Sequence, residues 1–118
     1  MTSSPVLDPE AIAGLRALSP DDGDAFLREI VGIFLEDTPA RLRELHASLA
    51  KGDVPAFTRA AHSIKGSSSN IGASELRATA EKLEHHAKQQ GLVGVEPLQA
   101  AVEAAFARAE VELRKLLA

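Results

Sequence analysis

From Asp24 to about Ala50, the apolar residues Phe26, Leu27, Ile30, Val31, Phe34 and Leu35, then Leu42, Leu45 and Leu49, recur at spacings of three and four. That period predicts an amphipathic helix with one face to a core and the other to water. Thr38 and Pro39 interrupt it, and Pro39 removes one backbone donor, so a kink or two abutting helices are expected, with Thr38 capping the second. Before it, Asp8 and Pro9 supply an N-cap and a first helical residue for a short helix to about Leu18, with Ile12 and Leu15 on one side. Residues 1–7 read as a flexible lead-in and 8–118 as the domain.

After Lys51, Gly52 and Asp53, a third helix is expected from about Val54 into a serine run, ending at Gly72. A fourth covers about Ser74 to Gln90 with Leu76, Ala80, Leu83 and Ala87 inward. A fifth covers about Val95 to Leu117 with Leu98, Val102, Ala105, Ala109, Leu113 and Leu116 inward. No strand-like alternation competes. Four long helices on short connections fold most simply as an all-α antiparallel four-helix bundle, with the short N-terminal helix capping one end.

Composition narrows what such a bundle can do. The chain of 118 residues has no Cys, Trp or Tyr and only four Phe, which excludes disulfides, thiolate metal sites and a cysteine nucleophile. Its net charge of -4 argues against a nucleic-acid module, which needs a basic footprint. No stretch approaches the roughly 18 uncharged apolar residues of a membrane span, and the N-terminus lacks a signal-peptide pattern, so a cytoplasmic protein is expected.

The unusual stretch is RAAHSIKGSSSNIGASEL, Arg59 to Leu76, where a glycine and three serines sit inside a predicted helix. Glycine there costs about 0.5–1 kcal/mol relative to alanine. At about 100° per residue, Phe57, Ala61, Ile64, Ser68 and Ile71 fall within roughly 40° of one direction, the core. His62 then lies about 140° away, facing solvent, with Ser69 at about 20° from it, Thr58 and Gly66 at about 40° and Lys65 at about 60°. Gly66 clears space beside the imidazole, and Lys65 puts a cation within reach of whatever the ring carries. Nucleophile, charge stabiliser and access are what phosphoryl transfer through histidine requires.

AAHSIKGSSSNIGASEL resembles the active-site segment of histidine-containing phosphotransfer (HPt) domains, in which His, two spacers, Lys and Gly precede small residues and a Gly-Ala turn. VLDPEAIAGLRAL is similar to the family's short first helix, FLEDTPARLRELHASLAKGD to the end of its second, and AEKLE to its fourth. The resemblance implies a monomeric phosphorelay intermediate without kinase activity of its own. It would take a phosphoryl group on His62 from the aspartate of a response-regulator receiver domain, or from a hybrid histidine kinase, and pass it to another receiver. It implies that the receiver supplies Mg²⁺, that Lys65 stabilises charge and that Gly66 gives clearance. It also implies that Glu84, about 80° from Leu76 on its own wheel, accepts a hydrogen bond from the ring. Receiver docking would surround His62, with Ile12 and Leu15 on the first helix and Thr58 and Ser69 beside the histidine.

Rival readings fare less well. RAAHSIKG also looks like the phosphoacceptor domain of chemotaxis kinases, so that role or a domain of a hybrid kinase stays open; Met1 and a complete first helix favour a free-standing protein. A metal-binding bundle is disfavoured because the side chains of adjacent His85 and His86 diverge by about 100°. A plain structural bundle leaves Gly66 and Lys65 unexplained.

Overall fold

The computed structural model describes residues 4–118. Five helices follow in order: α1 (Pro9–Ala17), α2 (Ala25–Lys51), α3 (Val54–Ile71), α4 (Ser74–Gln90) and α5 (Glu96–Leu117). There is no strand among the described residues. Packing runs α2 on α3, α3 on α4, α4 on α5 and α5 back on α2, which closes a four-helix bundle, while α1 lies across α2 and α3. Leu27, Leu45, Phe57, Ile64, Leu76, Leu83, Val102 and Leu113 are fully buried at its centre.

The helix ends follow local chemistry. The Asp8 carboxylate accepts from the Glu10 N–H to cap α1, and the Asp53 carboxylate accepts from the Ala56 N–H to cap α3. Each satisfies a donor that has no intrahelical partner. At the α3–α4 turn the backbone of Gly72 has φ +77°, and a Cβ there would sit 2.8 Å from the Ala11 side chain. Only glycine meets both demands. The Gly72 carbonyl accepts from the Asp8 N–H at 2.8 Å, so this one turn also ties α1 to the bundle.

Three expectations change. Helix α2 runs unbroken through Pro39, and Thr38 is fully buried in its interior instead of capping a second helix. Pro39 forfeits one hydrogen bond, whereas the apolar stripe on both sides of it continues in register against the core. Of the expected flexible lead-in 1–7, residues 1–3 lie outside the described residues, and segment 5–7 is held: the Pro5 carbonyl accepts from the Glu75 N–H, and Val6 and Leu7 pack against the core. On α5 the buried stripe is rotated slightly, taking in Gln99 and Phe106 and leaving Leu98 and Leu116 at its edge. Phe106 packs against Phe34, ring centroids 5.9 Å apart, and that contact draws the stripe round.

Candidate functional site

The middle of α3 faces the middle of α4, and there His62 meets Glu84. The His62 side chain is 64% exposed and that of Glu84 only 4%. Ring Nδ1 lies 2.8 Å from Glu84 Oε2. The other carboxylate oxygen, Oε1, is 2.8 Å from Lys65 Nζ, and Oε2 also receives Lys88 Nζ at 3.0 Å. One buried carboxylate thus gathers the imidazole and two ammonium groups.

Its charge state follows from these contacts. Burial pushes the Glu84 carboxyl up, but hydrogen bonds from Lys65, Lys88 and His62, with the Lys65 charge, outweigh burial and pull it down to about 2. An ionised carboxylate only accepts hydrogen bonds. Nδ1 therefore carries the ring proton, and the neutral ring's free lone pair sits on Nε2, at the tip that faces solvent.

Gly66 lies one turn beyond His62. Its φ is ordinary, and a Cβ built on it would meet nothing within 4 Å. Neither backbone strain nor internal packing asks for glycine at this position. Thr58, half-buried, donates its hydroxyl to the Val54 carbonyl at 2.9 Å, and Ser69 is exposed.

The structure brings His62, Lys65 and Glu84 together and corrects one expectation nearby. Lys65 is paired with the carboxylate at 2.8 Å. Ile12 is 4% exposed and belongs to the core, so it presents no docking surface. Its leucine neighbour differs: Leu15 lines an open apolar groove of about 300 Å³ with Phe26, Ile30, Ile33, Ser67 and Asn70. Lys88 escaped the sequence reading, although its place four residues after Glu84 was a legible signal for an ion pair along a helix.

The remaining histidines lack this arrangement. His46 Nε2 is 3.0 Å from Glu103 Oε1, between α2 and α5. The His86 ring Nε2 is 2.6 Å from the Val93 carbonyl in the α4–α5 loop. Among the described residues no group of three or more side chains is placed to hold a metal ion, and no helix is long and apolar enough to cross a membrane.

A helical bundle that presents an oriented, exposed imidazole defines a class, and comparison with known proteins gives the family. The family model described as Hpt domain matches residues 29–115, and the chain belongs to that family. Among solved structures, histidine-containing phosphotransfer protein B (HptB) from Pseudomonas aeruginosa PAO1 is 33% identical with a TM-score of 0.86, over 98% of this chain and 96% of that one. MtHPt2 from Medicago truncatula is 21% identical with a TM-score of 0.83, over 94% of this chain and 76% of that one. ZmHP2 from maize is 24% identical with a TM-score of 0.78, over 96% and 88%. The two plant proteins speak for the fold alone. No match is found among curated proteins. Membership of the Hpt family makes this chain a histidine phosphotransfer protein of two-component relays, working with receiver domains and kinases.

Proposed function

We propose that His62 is the phosphoacceptor, and that the chain relays a phosphoryl group between aspartates of receiver domains as a cytoplasmic monomer with no kinase activity of its own. The observation that carries this is the Glu84 carboxylate 2.8 Å from His62 Nδ1, which leaves Nε2 unprotonated and outward. The Nε2 lone pair attacks phosphorus of the aspartyl phosphate. The N–P bond forms as the P–O bond breaks, and the aspartate leaves with the electron pair. No proton has to move, because Nε2 carries none. The ring becomes cationic, and its Nδ1–H stays on Glu84, a charge-assisted hydrogen bond that strengthens as the charge develops. Reversal onto a second receiver completes the relay.

Lys65 and Lys88 leave the three-charge cluster with Glu84 net positive, a favourable setting for an incoming phosphoryl dianion. The Mg²⁺ of the reaction belongs to the receiver. Gly66 keeps the approach to Nε2 open, and the groove holding Leu15, Phe26, Ile30 and Ile33 offers an apolar seat for the receiver. The test is transfer from a phosphorylated receiver of the same organism. Acid-labile, alkali-stable label on the wild type and none on His62→Gln is expected. Label retained by His62→Gln would sink the assignment.

A further inference from the structure

The carboxylate that holds His62 has more partners than the ring requires, and they divide unequally between its oxygens. Oε1 takes Lys65 alone, whereas Oε2 takes both the imidazole Nδ1 and Lys88. A carboxylate nearly closed to solvent gets little help from water, so protein donors have to fill its lone pairs. Lys88 does this from one turn further along the same helix, in the Glu-before-Lys order that favours such pairs. Helix α4 therefore carries the carboxylate and one counterion as a unit, and Lys65 closes on it from α3.

We propose that Lys88 is a positioning residue for transfer at His62: by holding Oε2 in place against the ring, it keeps the proton on Nδ1 and the lone pair on Nε2. Lys88 acts through the shared oxygen, whereas Lys65 anchors the far side of the carboxylate. This rests on His62 as the phosphoacceptor. The Lys88 side chain is 58% exposed, so losing it opens no cavity, and its effect should appear on the ring before it appears on the fold.

Two measurements on the full chain separate the possibilities. The first is ¹⁵N NMR of the imidazole at about pH 9, above the ordinary titration range of histidine, which reads the tautomer balance without any phosphate. The second is labelling by phosphoramidate, a small donor that needs no receiver: the Nε2–P bond forms as the donor's P–N bond breaks, and ammonia leaves. Lys88→Ala should raise the Nε2–H tautomer and slow labelling about threefold to tenfold, the worth of one such hydrogen bond. Lys88→Arg should restore both, and Lys82→Ala should change neither. Lys65→Ala should disturb the tautomer less than Lys88→Ala does. In a Glu84→Gln background, Lys88→Ala should add nothing further.

A wild-type tautomer balance in Lys88→Ala would overturn the proposal, and so would an undiminished Lys88→Ala effect in the Glu84→Gln background, which would mean direct contact with the phosphoryl group. Phosphate on His62→Gln would refute the phosphoacceptor assignment instead, a result that the phosphate-free NMR experiment does not depend on.

Discussion

His62 and His86 both lie on the outer sides of helices, and each ring is held by one nitrogen, but by opposite ones. The Glu84 carboxylate takes Nδ1–H of His62 and leaves Nε2, at the ring's tip, with the free lone pair. The Val93 carbonyl, which only accepts, takes Nε2–H of His86. The tip of that ring is spent on the α4–α5 loop, and its lone pair lies on the nitrogen nearer the backbone. On the proposed assignment of His62 as the phosphoacceptor, exposure alone is not what selects a ring. What distinguishes the two rings is which nitrogen the fold ties down.

The sharpest way to break the comparison is to remove each ring. His62→Gln should lose all phosphate incorporation while staying folded, its melting temperature lowered by no more than the lost hydrogen bond to Glu84 accounts for. His86→Gln should keep incorporation and lose about 1 kcal/mol of stability with the loop hydrogen bond. Labelling by a phosphorylated receiver and thermal melts of both variants check this. Equal loss of labelling in the two would remove the distinction.

A similar contrast divides α1. Ile12→Asp places a charge in the core and should unfold much of the population at ambient temperature. Leu15→Asp, on the open groove, should melt near wild type and bind a receiver more weakly. Titration of both variants with a receiver, alongside their melts, decides which residue docks.

Gly66 tests access to Nε2. Gly66→Gln should slow receiver-dependent transfer at least about tenfold by blocking the approach, with melting preserved. Gly66→Ala should be neutral or stabilise by about 0.4–1 kcal/mol, since nothing lies within 4 Å of its Cβ. A wild-type rate in Gly66→Gln would mean that the glycine is not there for clearance.

The smallest effect is one of pH. The carboxyl of Glu84 is depressed from 4.5 to about 2 in the folded chain. Its stabilising contribution is therefore present above the unfolded value and is lost as pH falls through the folded one. Acid titration of stability should show wild type losing more than Glu84→Ala between about pH 5 and pH 2. At neutral pH Glu84→Ala should transfer several-fold more slowly. Glu84→Gln also falls short of wild type, because one amide oxygen cannot serve two ammonium groups and a ring. Parallel acid curves for wild type and Glu84→Ala would show that the carboxylate is not held by the cluster.

The sequence by itself determined the five helices, the Asp8 and Asp53 caps and the outward aim of His62, because each is a matter of spacing along one helix or of chemistry within one turn. It also left Gly66 conspicuous, as a propensity cost with no local benefit. What lay beyond it depended on contacts between helices. Pro39 stays within α2 because the core on both sides of it outweighs one missing hydrogen bond. Ile12 is buried while Leu15 borders a groove, and that depends on how α1 is tied to the Gly72 turn. Lys65 could be placed on its wheel, but its commitment to Oε1 of Glu84 could not be read there; the Lys88 spacing was legible as an ion pair along α4, but its sharing of Oε2 with the ring was not. A wheel gives directions around one axis. Only the packing of α3 against α4 buries the carboxylate, and burial is what obliges it to collect every donor within reach.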